Sequence, residues 1–208
     1  MKRLALFLTS ICFATTILSA ESSRFVGKVV LELIDGIEFD HKLMLLSDFG
    51  YQDPQGKLWL VQKGEIIDGS SIPTQLLPLI DSPSAVEYRK ASVVHDYFSR
   101  QKTEPWRDVR RMFYAASLTE GLSEGEAKLL YMAAYAGGWR WEPHESSCYR
   151  GCHAGASLLA WQPDVTPGEL APVAAWLRQG NPSVEEIDKR VDAAVTRPGP
   201  HVFAQVRQ

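Results

Sequence analysis

Four side chains in the first half of the sequence are of the types that do chemistry. Asp68 and Ser71 lie in "EIIDGSSIPTQL", and His95 and Asp96 stand side by side in "ASVVHDYFSR". Three chemistries use such a set. Asp68, His95 and Asp96 offer imidazole and carboxylate ligands for a divalent metal such as zinc, and an open position on that metal would make the site hydrolytic. Alternatively Ser71 is a nucleophile, His95 its base, and Asp68 or Asp96 the group that orients the imidazole. No Gly-x-Ser-x-Gly elbow surrounds Ser71. In the third reading the four residues form a buried hydrogen-bond network that fixes a helix against the end of a sheet and does no chemistry.

The elements that must position these groups are legible in outline. Residues 24–34, 40–49 and 57–62 are rich in apolar and β-branched residues. With the turn Asp53-Pro54-Gln55-Gly56 they predict a small antiparallel meander ending at Asp68. Asp68 can accept from the backbone N–H groups that follow it, Gly69 permits a positive φ, and Pro73 stiffens the exit. Beyond Pro73 the apolar period becomes helical. Ser84 with Glu87 is a capping box that predicts a helix over about 85–99. On it Ala91, Val94 and Phe98 make the buried stripe, and His95 sits at its border. Adjacent helical residues point about 100° apart, so His95 and Asp96 are not expected to face one small ligand squarely. A second helix is expected over 107–120, stopped by Gly121. A third is opened by Ser123 and Glu126 and ends at Gly137-Gly138.

In this order the motifs resemble the domain-of-unknown-function 1353 family of phages and bacteria. Its Asp-Gly-x-Ser-x-Pro segment is matched by Asp68, Gly69, Ser71 and Pro73, and its His-Asp-Tyr helix by His95, Asp96 and Tyr97. Phe113, Tyr114 and Gly121 match the next helix, and Tyr131 to Gly137 a further one. The resemblance covers about residues 25–138 and implies no particular activity. One departure stands out: the family often has an aspartate one helical turn before the phenylalanine, where this sequence has Arg110. Asp108 lies on a different side of the helix.

The ends of the chain carry other signals. "MKRLALFLTSICFATTILSA" has a basic start and an apolar run from Leu4 to Leu18. That run is shorter than the ~20 residues of a membrane span, and small residues follow it. Residues 1–20 therefore read as a signal peptide cleaved after Ala20 or Ser22, giving a periplasmic or secreted protein with no stable membrane span. Export would remove Lys2 and Arg3 and make an already acidic chain of net charge −3 more so. Such a balance argues against nucleic-acid binding, which needs a basic face. Cys148 and Cys152 are the cysteines that remain, and an even pair in an oxidising compartment predicts a disulfide. With His144 and His153 the same pair could instead ligate zinc. Trp139, Trp141 and Trp161 flank it and could line a groove or cover a small core. Thr166 with Glu169 and Ser183 with Glu186 predict two more helices, the first shortened or kinked by Pro172. The final "RPGPHVFAQVRQ" reads as a loose tail.

Strands first and helices afterwards predict an α+β fold: a meander, a helical bundle and a C-terminal helical extension. The expected division of the 208 residues is 1–20, 21–138 and 139–208. Two functions fit. One is an exported, metal-assisted hydrolase acting on a peptide-like or cell-envelope ligand. The other is a non-catalytic envelope or phage-derived assembly module in which the motifs are structural. The first predicts that Asp68 and His95 line a pocket with perturbed pKa values. The second predicts that they satisfy one another away from solvent.

Overall fold

The computed structural model describes residues 22–34, 42–67, 69, 71–80, 88–144, 157–195 and 204–206. The leader-like residues 1–20, Asp68, the Ser84–Glu87 box and the Cys148, Cys152 and His153 cluster lie outside the described residues.

The fold is α+β, with antiparallel sheets leading into helices. Each of the first two expected strands breaks in the middle. Residues 24–34 form β1 (Arg24–Gly27) and β2 (Leu31–Ile34), and the next stretch forms β3 (Lys42–Leu45) and β4 (Phe49–Gln52). With β5 (Leu58–Val61) and β6 (Ile66–Ile67) they make two three-stranded sheets, ordered β1-β4-β5 and β2-β3-β6. Hydrogen bonds bridge the break: Leu46 N–H donates to Val30 O at 2.8 Å, and Ser47 Oγ to Lys28 O at 3.0 Å. The bend lets Leu45, Phe49, Tyr51, Trp59, Val61 and Ile67 point into one core. The Asp53 turn forms as expected, its carboxylate accepting from the N–H groups of Gln55 and Lys57 and from the Trp59 indole.

Three helices then pack in sequence: α1 (Arg89–Gln101), α2 (Trp106–Glu120) and α3 (Glu124–Gly137). Ser123 and Glu126 form the predicted capping box, and Gly121 ends α2 in the left-handed conformation. α3 is buried on all sides from Ala127 to Gly137, as its apolar, alanine-rich sequence requires, and is the central helix of the domain. The start of α1 differs from expectation. It begins at Arg89, where no local side chain caps it. Instead the carboxylate of Glu120, at the far end of α2, accepts from the N–H groups of Lys90 (3.0 Å) and Ala91 (2.9 Å).

The last third is less purely helical than its sequence suggests. α4 (Pro167–Gln179) and α5 (Val184–Ala194) form, each with a complete capping box, and α4 continues through Pro172. A third antiparallel sheet precedes and follows them: β7 (Arg140–His144), β8 (Ser157–Trp161) and β9 (Ala204–Val206), in that order. Residues 204–206 of the expected tail are thus a strand paired with β8. Trp141 and Trp161 are buried, the Trp141 indole donating to Glu104 O at 2.8 Å. Among the described residues no helix is long and apolar enough to cross a membrane.

Candidate functional site

The chain leaves β6 at Ile67, passes Gly69 at φ 70°, and buries Ser71 and Ile72 before Pro73 opens a 3-10 turn over Thr74–Leu79. The positive φ is the conformation expected of that glycine. The turn holds this segment against α3: a Cβ on Gly137 would come within 2.7 Å of Pro73 Cγ. Ser71 is thereby carried to the side of α1.

α1 presents both polar residues inward. Ser71, His95, Asp96 and Arg110 are 4%, 2%, 6% and 1% exposed. His95 and Asp96 line one cavity of about 700 Å3, together with Ser71, Arg110, Lys102 and Trp139. The two side chains project from adjacent helix positions and still border the same cavity. Their directions do differ, but the cavity wraps around α1: Ser71 reaches Asp96 from the sheet side, and Arg110 reaches His95 from α2. The exposed rim residues Thr74, Gln75 and Trp139 open the cavity to solvent.

The hydrogen bonds assign the roles. Ser71 Oγ donates to Asp96 Oδ1, so the hydroxyl is paired with the carboxylate and not with the imidazole. Arg110 Nη1 donates to His95 Nε2 and, at 2.8 Å, to Ser99 Oγ, while Nη2 donates to Trp139 O at 3.0 Å. A guanidinium has no acceptor, so the Nε2 lone pair must be the acceptor, and the neutral ring carries its proton on Nδ1. That Nδ1 lies 3.7 Å from Asp96 Oδ1, too far for a hydrogen bond, and has no hydrogen-bond partner among the described residues. The imidazole packs on Phe113 with ring centroids 4.5 Å apart.

Burial, and then the adjacent Arg110 charge, hold His95 well below the usual histidine range, so the ring is neutral at physiological pH. Burial also draws Arg110 down to about 10, with Asp96 acting in the opposite sense, and the guanidinium stays charged. Gly138 makes room for it: a Cβ there would lie 2.8 Å from Arg110 Cζ.

Of the sequence-derived site residues, the structure brings Ser71, His95 and Asp96 together. Asp68, the third ligand a metal would need, lies outside the described residues. Among the described residues no three His, Cys, Asp or Glu side chains gather as a metal-binding group. One nitrogen of His95 is engaged by a cation, and that charge disfavours a second cation beside it. Arg110 is the residue the motifs overlooked. The signal was present, for Arg110 falls four residues after Trp106 and three before Phe113, on the face that α2 buries.

A bent antiparallel sheet region followed by a three-helix core, with a Ser-Asp-His-Arg floor between them, defines the class of domain. Residues 43–134 match the model of the family described as "Protein of unknown function (DUF1353)". It is 41% identical over 117 residues to "Uncharacterized protein y4iH" of Sinorhizobium fredii (strain NBRC 101917 / NGR234), covering 56% of this chain and 48% of that protein. It is 39% identical over 97 residues to "Uncharacterized protein y4jT" of the same strain, covering 47% of this chain and 29% of that protein. The chain thus spans less than half the length of either curated relative. No solved structure matches it.

Proposed function

We propose that the cavity is a hydrolytic site acting on a peptide-like or other cell-envelope substrate, with Asp96 as its base and Ser71 as its nucleophile. The observation that carries this reading is the hydrogen bond from Ser71 Oγ to the buried Asp96 carboxylate, at the floor of a solvent-accessible cavity. As Oγ attacks the acyl carbon, Asp96 takes the hydroxyl proton, and it returns that proton to the leaving nitrogen when the C–N bond breaks. Water then repeats the sequence to release the acyl group and restore Ser71. His95, held neutral beside Asp96, supports the carboxylate's side of the site, with its Nδ1 3.7 Å from Asp96 Oδ1.

Positive charge at this point comes from Arg110. A divalent metal such as zinc held by Asp68, His95 and Asp96 is the other source, and metal analysis of the purified protein separates the two. Export is part of the proposal: the leader-like residues 1–20 support a periplasmic or secreted protein acting where envelope substrates are found.

A second reading has its own support. Arg110 bonds α1 through His95 and Ser99, and the start of β7 through the Trp139 carbonyl, as a purely structural clamp would. A single experiment decides between them. The mature protein is assayed on fluorogenic peptides, esters and isolated cell-wall fragments, beside Ser71→Ala and Asp96→Asn. The hydrolytic reading expects turnover by the wild type and a loss of about 10²-fold or more in Asp96→Asn without unfolding. If the folded wild type cleaves none of these and Asp96→Asn only melts earlier, the site is a clamp and the protein a non-catalytic binding or assembly module.

A further inference from the structure

The cavity wall is more basic than its floor chemistry requires. Its described charged lining consists of three cations, Arg100, Lys102 and Arg110, and one carboxylate, Asp96. Two of the cations have acidic company: Arg100 lies 3.4 Å from Glu65, and Arg110 feels Asp96. Lys102 is different. Its Nζ donates only to the backbone carbonyl of Arg100, at 3.3 Å, and forms no ion pair among the described residues. It stands 5.8 Å from the ring centroid of Trp139 and 5.9 Å from that of Trp141.

Its backbone is equally unusual. Lys102 caps α1 at φ 56° and ψ 27°, and it is the one positive-φ residue other than glycine among those described. A glycine is the usual choice there, and an L side chain is strained in it. The position holds a half-buried ammonium in a backbone conformation that favours glycine.

We infer that Lys102, over the Trp139 ring, is an oxyanion subsite, and that the substrates of this cavity end in a free carboxylate or phosphate. The inference rests on the cavity being a substrate site. It makes Lys102 a specificity-determining residue: a charge-assisted bond to the terminal group leaves the reacting carbonyl over Ser71. Trp139 supplies the flat apolar wall along which the body of the ligand lies.

The test measures binding apart from hydrolysis. Ser71→Ala protein is titrated calorimetrically with N-acetyl-alanyl-alanine, with its C-terminal amide, and with inorganic phosphate. The free acid should bind about tenfold more tightly than the amide, the size expected of one hydrogen bond to a charged group. Phosphate that displaces the acid identifies a site for any oxyanion, and phosphate that does not identifies a carboxylate site. Lys102→Gly should abolish the preference for the acid while keeping or raising the melting temperature, because glycine relieves the left-handed strain. Equal binding of acid and amide, binding of neither, or a folded Lys102→Gly protein that keeps the preference overturns the inference. A protein that prefers the acid but cleaves no amide or ester retains the subsite and loses the hydrolytic reading.

Discussion

Arg110 of α2 occupies the Nε2 lone pair of His95 of α1, so a fully buried cation fixes the tautomer of an imidazole that burial first, and then the Arg110 charge, keep neutral. The resemblance in sequence predicts an aspartate at this position; the arginine present donates to His95, Ser99 and the Trp139 carbonyl.

One consequence is a pH dependence of stability. The folded-state pKa of His95 lies well below the ordinary 6.5, so the unfolded chain takes up a proton that the native ring refuses. The resulting stability is complete above pH ~6.5 and falls below it, by at most about 1.36 kcal/mol per pH unit, until the folded pKa is reached. Thermal denaturation between pH 7 and 5 should show this loss, and His95→Gln should flatten it. An unchanged slope in the variant would assign the titration to other groups.

Removing the cation should be costly. Arg110→Met keeps much of the side-chain volume but strips His95, Ser99 and the Trp139 carbonyl of their donor, and leaves Asp96 without its nearby charge. The expected loss is on the order of 3 kcal/mol, or roughly 6–12 °C in melting temperature for a chain of this size. The His95 ring should also titrate closer to the ordinary range, which NMR of the imidazole protons would report.

Glu120 should behave as the cap of a helix other than its own. Glu120→Ala leaves the N–H groups of Lys90 and Ala91 without their carboxylate, and should cost about 1 kcal/mol and about 2–4 °C. Amide exchange in the first turn of α1 should accelerate while that of α3 does not. Equal acceleration in both helices would mean a global loss and no specific cap.

Removal of residues 1–20 on the proposed export takes Cys12 with it, and the chain that remains should contain no free thiol. Thiol titration of the denatured, unreduced and metal-free chain tests the Cys148–Cys152 disulfide directly, and two titratable thiols would leave zinc ligation as the alternative.

What could be read from the sequence follows how local each signal is. Ser123 with Glu126, Thr166 with Glu169 and Ser183 with Glu186 each contain a whole helix start within four residues, and all three helices begin where those residues indicate. The start of α1 depends on Glu120, thirty residues beyond Lys90, and local capping rules do not reach so far. β8 pairs with β7 and with β9, so residues 157–161 and 204–206 become a sheet through contacts that no short window contains. In the site, Ser71, His95 and Asp96 were visible because motifs bring them to attention. Arg110 was visible only as a departure from a pattern, and its meaning came from the buried face on which it lies.

The cavity has two provenances. Ser71, His95, Asp96 and Arg110 fall within the segment 43–134 that matches the family, whereas Gly138, Trp139 and Gln162 follow it in the chain. The buried polar quartet therefore lies inside the segment that matches the family model, and part of the cavity wall lies outside it. Exchanging the adjoining segment would change the wall at Trp139 and Gln162 while leaving the quartet in place.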